Sequence, residues 1–186
     1  MQPQDCPDDR EVLETAMEAG HILLENGAEI FRVEETMERI AAHYGVERKD
    51  FFVLSNGIFT TGDCGPGQRG GQYARVQHIP VKSAQLDRVV AVNQLSREIE
   101  AGSYTLEETR QRLREIRQMP GEPPWVQMLA SGVGSACFCI LFGGSLADSV
   151  ASFLAGLLLY AYVLRLSAPH LSRMIGNVLG LSLIHI

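Results

Sequence analysis

The chain has 186 residues, a formal net charge of −6 and a hydrophobic fraction of 46%. This acidic balance argues against nucleic acid as a partner, because binding to phosphates needs a basic surface. The charge is also unevenly spread, since no Asp, Glu, Lys or Arg lies in residues 123–147 or 149–164. Two apolar runs so close together are unusual in a soluble domain, and they divide the chain into a charged part and an apolar part.

Two helices are predicted at the start of the chain. Asp8 or Asp9 can cap a first helix that runs to about Asn26, and Gly27 ends it. A second helix is predicted over about residues 28–44. Both carry apolar residues at helical spacing. These residues are Val12, Ala16, Ala19 and Leu23 in the first helix, and Ile30, Val33, Met37, Ile40, Ala41 and Tyr44 in the second.

The hydrophobic period then changes to that of strands. Residues 51–54 and 58–61 are predicted to be strand, interrupted at 55–57 by Ser-Asn-Gly. A glycine-rich stretch over residues 62–71 separates them from a further strand at 72–79, in which the side chains of the two faces alternate. The sequence therefore predicts a β-hairpin with a loose loop.

Two more helices complete the charged part. Ser83 can cap a third helix that runs to about Ala101, and Thr105 with Glu108 forms the capping box of a fourth. The buried side of the third helix is predicted to consist of Leu86, Val89, Val90, Leu95 and Ile99. Residues 1–119 are thus expected to form a cytoplasmic α+β domain, mainly helical with a β-hairpin.

The apolar part, residues 125–186, is predicted to be an α-helical, multi-pass membrane domain that follows a proline-rich linker at 120–124. Helices over about 125–143 and 146–164 are long enough to cross a bilayer, which takes about 20 residues. A third apolar run begins at residue 174 and is too short to span before the sequence ends. We therefore expect the given sequence to be truncated, with further spans beyond it.

The arginines predict the orientation. They lie before the first apolar run and after the second, whereas the loop at residues 143–145 has none. By the positive-inside rule both flanks are cytoplasmic, so the N-terminus is expected in the cytoplasm and the loop outside. The start of the chain is acidic and lacks the apolar core of a signal peptide.

Two patterns resemble a known family. Residues 19–37, AGHILLENGAEIFRVEETM, resemble the opening pattern of the threonine/serine exporter family. Phe142-Gly143-Gly144, followed by Asp148 and Gly156, resembles the first pair of spans in that family. The likeness covers nearly the whole chain up to about residue 166. It implies export of small polar metabolites across the bacterial cytoplasmic (inner) membrane, and some members of the family are split between two polypeptides.

The membrane part contains one candidate site. A carboxylate in a span is costly, which makes Asp148 a candidate for relaying a proton or meeting a substrate ammonium. Ser152 and Gly156 share its helical face, and their small side chains favour contact between helices. Asp148 and Ser152, with Gly143 and Gly144, form the predicted substrate or proton pathway. The alternative is that Asp148 only marks the outer end of the second span.

The charged part contains a second candidate, which we call the cytoplasmic motif. Gly27 makes a tight step between the first two helices, so that Glu25, Arg32, Glu34 and Glu35 can converge on a concave site. An ordinary solvated helix face is the favoured interpretation, because charge-rich faces are common on helices.

Other chemistry is weakly indicated. Ser55, Asn56, Thr60 and Thr61, with Asp63 and His78, could form a hydrolase constellation. There is no Gly-x-Ser-x-Gly elbow, however, and strand and turn roles are favoured for these residues. The glycine-rich stretch lacks the Lys-Ser/Thr of a P-loop. His21 and His43 have no ligand partner at metal spacing. No metal or cofactor is therefore expected, and the chain is not expected to be an enzyme.

Two functions remain open from the sequence. The first is a subunit or fragment of a secondary exporter of the threonine/serine class, driven by the proton-motive force. Its partners would be the lipid bilayer, the small-molecule substrate and either further copies of the chain or a second membrane subunit. The second function is a membrane-tethered cytoplasmic enzyme or regulator. A small dicarboxylate is an alternative substrate.

Overall fold

A computed structural model describes residues 8–63, 72–80 and 84–166 of the chain. The chain divides into two compact units, Met1–Pro120 and Gly121–Ile186. Within the described residues, the first unit has four helices and a sheet, and the second has two long helices.

The first helix, α1 (Asp9–Glu25), contacts most other elements of the first unit. The Asp8 carboxylate accepts a hydrogen bond from the N–H of Arg10 at 3.1 Å, which confirms the predicted start. The helix ends where Gly27 adopts a φ of +83° and the N–H of Ala28 bonds to the carbonyl of Leu23 at 3.0 Å. Its predicted stripe is buried, together with several neighbours: Val12, Leu13, Ala16, Met17, Ala19, Ile22, Leu23 and Leu24.

The second helix, α2 (Ile30–His43), packs on α1. Most of its predicted stripe is buried, namely Val33, Met37, Ile40 and Ala41. The prediction is wrong for Ile30, which is 41% exposed because it is the first residue of the helix and lies outside the packed turns. After the helix, the hydroxyl of Tyr44 bonds to that of Thr109 at 2.7 Å, which ties this end to the fourth helix. Burial is the main cause that raises the pKa of Tyr44.

Among the described residues, the sheet has three strands rather than the predicted hairpin of two. They are β1 (Lys49–Leu54), β2 (Gly57–Asp63) and β3 (Gln72–His78), antiparallel in the order β1-β2-β3. The Ser-Asn-Gly interruption is itself a hairpin turn, because Leu54 pairs with Gly57 across two residues. Segments that the sequence treats as one interrupted strand therefore pair with each other.

One face of the sheet packs on α1. Ile58 and Thr60 of β2 are almost fully buried there. A Cβ on Gly62 would lie 2.6 Å from Cδ1 of Leu13, so a larger residue there would have to displace the Leu13 side chain from its place between α1 and β2. The opposite face is open within the first unit, and Phe52 and Phe59 form an edge-to-face pair on it.

The last two helices of the first unit are α3 (Leu86–Glu100) and α4 (Leu106–Arg117). Gln85 precedes α3 as its cap residue, whereas the predicted cap, Ser83, lies outside the described residues. Leu86 and Val90 are 68% and 61% exposed, so the predicted buried side is wrong there. The buried side is instead rotated, because α3 packs on α1, α2 and α4 through Val92, Leu95, Ser96 and Ile99.

The fourth helix begins with the predicted capping box. The N–H of Thr105 donates to Glu108 Oε2 at 2.8 Å, and the N–H of Glu108 donates to Thr105 Oγ1 at 3.4 Å. The backbone bond from Thr105 lowers the pKa of the Glu108 carboxyl most, and the Thr105 hydroxyl, which donates to the same Oε2 at 2.8 Å, lowers it further.

The described part of the second unit, residues 121–166, forms a helical hairpin of α5 (Pro124–Leu141) and α6 (Leu146–Leu166). Both helices are long and apolar enough to cross a membrane, and only 6% of the α5 span and 11% of the α6 span is buried. Their bounds lie within two residues of the predicted 125–143 and 146–164. The predicted third run from residue 174 lies outside the described residues.

Candidate functional site

Asp148 lies in the first turn of α6, where its carboxylate binds Ser145. Oδ2 of Asp148 accepts hydrogen bonds from the N–H of Ser145 at 2.9 Å and from its hydroxyl at 2.7 Å. The N–H of Asp148 donates back to the Ser145 hydroxyl at 3.3 Å. This reciprocal arrangement is a capping box, and the side chain is exposed rather than packed against α5. The Asp148 carboxylate therefore contributes to the N-terminal cap of α6.

Gly143 and Gly144 form the connection between the two long helices. Gly143 has a φ of +86°, a backbone conformation that residues with a Cβ rarely adopt. The N–H of Gly144 bonds to the carbonyl of Cys139 at 2.9 Å, and a Cβ on Gly144 would lie 2.5 Å from Cys139 Sγ. Both glycines are thus required by the turn that ends α5.

The contact between α5 and α6 is built from small residues. A Cβ on Gly132 would lie 2.9 Å from the ring of Phe153, and one on Gly156 would lie 2.6 Å from Ser135 Oγ. The predicted role of Gly156 as a helix-contact residue is confirmed. Ser152 is only half-buried, and Asp148, one turn before it, is exposed. The face that Asp148 begins is therefore only partly covered by α5.

Hydrogen bonds also line the contact between α5 and α6. The hydroxyl of Ser131 donates to the carbonyl of Gly156 at 3.2 Å. The hydroxyl of Ser149 donates to the carbonyl of Ala136 at 3.5 Å, and the hydroxyl of Tyr160 donates to the side chain of Gln127. Sequence reasoning missed this polar seam, although its α5 members recur every four residues at Gln127, Ser131 and Ser135.

Glu25 of the cytoplasmic motif is buried rather than solvated. It is 6% exposed, and its Oε2 lies 4.0 Å from Nε2 of His21. The other ring nitrogen, Nδ1, lies 2.7 Å from the side-chain amide nitrogen of Gln77 on β3. When that amide donates to Nδ1, the ring proton lies on Nε2, which faces Glu25. Sequence reasoning left His21 without a role, although its spacing of four from Glu25 places both on one helix face.

The other charged residues of the motif point to different neighbours. Arg32 lies 3.9 Å from Glu29 on the protein surface. Glu34 accepts a hydrogen bond from the N–H of Val53 at 2.9 Å, which holds the end of β1. Glu35 pairs with Arg39 at 2.8 Å. These residues do not converge on one concave site, because each stabilises its own helix or the nearest strand.

The hydrolase constellation does not assemble. Ser55 lies in the turn between β1 and β2, and His78 pairs with Gly57 at the same end of the sheet. Asp63 lies at the far end of β2, six residues along the strand from Gly57. At about 3.3 Å per residue, these ends are about 20 Å apart, which is too far for a triad.

Comparison with known proteins gives one family. The family model ThrE, described as "Putative threonine/serine exporter", matches residues 14–186. The chain belongs to the threonine/serine exporter family. The resemblance predicted from the sequence is thereby confirmed. Because the family is one of transporters, membership implies transport, a location in a membrane and no enzymatic activity.

The other two comparisons give no relative of this exporter-family chain. Neither the curated proteins nor the solved structures contain a match. The family assignment therefore comes from the family model, whose match includes most of the first unit and the whole α5–α6 hairpin.

Proposed function

We propose that this chain is a subunit of a secondary exporter for small polar metabolites of the threonine and serine class. The family match carries this proposal, because it runs from within α1 to Ile186 and so includes residues of both units. A membrane-tethered hydrolase receives no support, since His78 and Asp63 lie at opposite ends of the pairing between β2 and β3.

The transport pathway requires more helices than α5 and α6. Two helices cannot enclose a polar path, because every lipid-facing backbone and side chain must be apolar or satisfied. Large apolar residues such as Leu129, Phe138 and Leu158 are exposed on the hairpin. We propose that further copies of the chain, or a second membrane subunit, complete the pathway in the bilayer.

The proposed driving force is the proton-motive force. Asp148 is the only carboxylate in residues 124–166. A carboxylate at the edge of a span can exchange protons when it is wet or partnered, and a proton gradient can then be coupled to export. We propose that Asp148 and Ser152 contribute to this proton or substrate pathway, next to the Gly143-Gly144 turn.

Efflux measurements test the proposal. Bacterial cells that express the protein are loaded with threonine through a threonine-containing dipeptide, and the amino acid released is measured with and without a protonophore. We expect expression to increase efflux and the protonophore to abolish the increase. Efflux that survives the protonophore contradicts proton coupling. Release of a small dicarboxylate, measured in parallel, would instead support the alternative substrate.

The proposed location is the bacterial inner membrane with the first unit in the cytoplasm. In a cysteine-free background, a single cysteine at Ser145 should react with an impermeant thiol reagent in intact cells. A cysteine at Ser103 should react only after the cells are opened. The reverse pattern would contradict the orientation.

A further inference from the structure

A polar groove lies on the surface of the first unit. It has a volume of about 440 Å³ and follows α1 between β3 and α4. Its floor includes Glu14, Glu18 and His21 of α1, and β3 contributes Arg75 and Gln77. We call it the α1 groove. Its volume lies within the range of small-molecule sites, about 300–1,000 Å³, although such sites are usually mainly apolar.

The side of the α1 groove formed by α4 is basic. Arg110 is held in place, because its Nε donates to Thr15 Oγ1 at 3.0 Å and its Nη1 lies 3.5 Å from Glu11. Arg117 lies 3.9 Å from Glu18, which is a loose and half-exposed pair. A ligand can therefore separate this second pair at little cost, because exposed ion pairs contribute at most about 1 kcal/mol.

Arg75 supplies a cationic group on the other side. It lies on β3, opposite Thr60 in the sheet register. Among the residues that the structure describes, no carboxylate lies within ion-pair distance of Arg75. A planar guanidinium without a partner is suited to hold a ligand carboxylate through two parallel hydrogen bonds.

The charges of the α1 groove are nearly balanced. Carboxylates from α1 and guanidinium groups from β3 and α4 face the same volume. A wholly anionic ligand would lie against Glu14 and Glu18, and a wholly cationic one would lie against the arginines, so each would meet repulsion. A ligand with both charges a few ångströms apart meets attraction at both ends.

We propose that the α1 groove binds a small zwitterion of the α-amino-acid class. Arg75 binds the ligand carboxylate, and Glu18, released from its loose pair with Arg117, binds the ammonium. The site is formed by the first unit by itself and is additional to any path through α5 and α6. Only the choice of threonine as the probe depends on the proposed export function.

Equilibrium binding tests the inference. The full chain in lipid nanodiscs is dialysed against radiolabelled L-threonine. Arg75→Gln and Glu18→Gln are compared with two controls whose parent residues lie outside the groove, Arg112→Gln and Glu98→Gln. Unlabelled competitors are threonine amide, which lacks the carboxylate, and the corresponding hydroxy acid, which lacks the ammonium. Thermal melting of each variant confirms that it is folded.

We expect Arg75→Gln and Glu18→Gln each to lower the affinity for threonine at one class of binding sites by at least about tenfold, because each removes a charge-assisted hydrogen bond. The controls should bind like the unaltered protein, and neither competitor should displace threonine from that class. Unchanged affinity in Arg75→Gln, or an absence of saturable binding, would overturn the inference. Competition by the hydroxy acid as strong as by threonine would also overturn it, since the site would then be one for anions.

The result is independent of efflux. Binding that is lost in Arg75→Gln, while the unaltered protein gives no efflux in cells, supports the groove and rejects an exporter built from copies of this chain alone. Efflux without groove binding rejects the groove and leaves the exporter.

Discussion

The two units of this chain distribute their apolar side chains in opposite ways. In the first unit, Leu13, Met17 and Ile40 are at most 1% exposed, and charged residues cover the surface. In the α5–α6 hairpin, Val133 and Phe138 are more than half exposed, while hydroxyl groups lie in the contact between the helices.

The difference reflects two solvents. Water drives apolar groups inward, which accounts for the first unit. Lipid gives no such drive, so helices associate through close packing and hydrogen bonds, which accounts for the second. Each prediction below changes one side of this comparison, beginning with the largest expected effect.

The first unit should fold in water without the hairpin. Met1–Pro120 produced by itself is expected to be soluble and to have a cooperative thermal transition, whereas the whole chain needs detergent or lipid. Circular dichroism and size-exclusion chromatography check this. An aggregated or unfolded product would show that the first unit depends on the second.

Replacing Asp148 by Asn should reduce threonine efflux by at least tenfold at matched protein levels, an effect within the range that proton transfer contributes, about 10²–10⁴. Asparagine keeps the shape and removes the proton chemistry. Ser145→Ala is the matched control, because it removes one capping partner of Asp148 and keeps the carboxylate. Equal losses in both variants would assign Asp148 to helix capping only.

Replacing a buried leucine should cost far more than replacing an exposed one. Leu13→Ala is expected to lower the free energy of unfolding of Met1–Pro120 by about 2–5 kcal/mol, because it leaves a cavity next to β2. Leu129→Ala, at a side chain that is 44% exposed in the hairpin, should leave the melting temperature in detergent nearly unchanged. Urea unfolding measures the change for Leu13→Ala, and thermal melting in detergent measures the change for Leu129→Ala. Similar losses would contradict the comparison.

Replacing two glycines of the hairpin by alanine should change its stability in opposite directions. Gly156→Ala places a Cβ 2.9 Å from the carbonyl oxygen of Ser131, so the helices must separate and the melting temperature in detergent should fall. Gly134→Ala meets nothing within 4 Å and should stabilise α5 by up to about 1 kcal/mol. A loss of stability at both positions would mean that α5 and α6 pack through another face.

The smallest predicted effect is a pH dependence at the start of α4. Because the folded-state pKa of Glu108 is lowered, its contribution to stability is present above the ordinary carboxyl pKa and is lost as the pH falls through the folded value. Glu108→Ala should therefore destabilise Met1–Pro120 at about pH 7 and less at about pH 3, on either side of the carboxyl range. If Glu108→Ala destabilised Met1–Pro120 equally at both pH values, the charge of Glu108 would have no part in the cap.

Much of the local structure could be predicted from the sequence. The start of α1 at Asp8, the capping box of α4 and both long apolar helices depend on residues within a few positions of each other. The turn at residues 55 and 56 was visible too, but its two strands were treated as one. That error arose because pairing depends on which strand lies beside which, and no local pattern states it.

The candidate sites were harder to predict than the helices. Glu25 was expected on a solvated face, yet β3 brings Gln77 to the other side of His21 and the carboxylate is buried. Arg32, Glu34 and Glu35 lie within four residues of sequence, but the helical turn of α2 directs them to separate neighbours. For Asp148, its type and spacing suggested a pathway, and its contact with Ser145 shows a cap as well.

The sequence by itself determined the division into a charged and an apolar part, the helix caps and the family, because composition, capping and motif order are properties of nearby residues. Only the tertiary structure decided the three-stranded sheet, the buried side of α3, the surroundings of Glu25 and the α1 groove. Those features join residues that are far apart in the chain, such as Glu18, Arg75 and Arg117, and their distances are set by packing rather than by spacing.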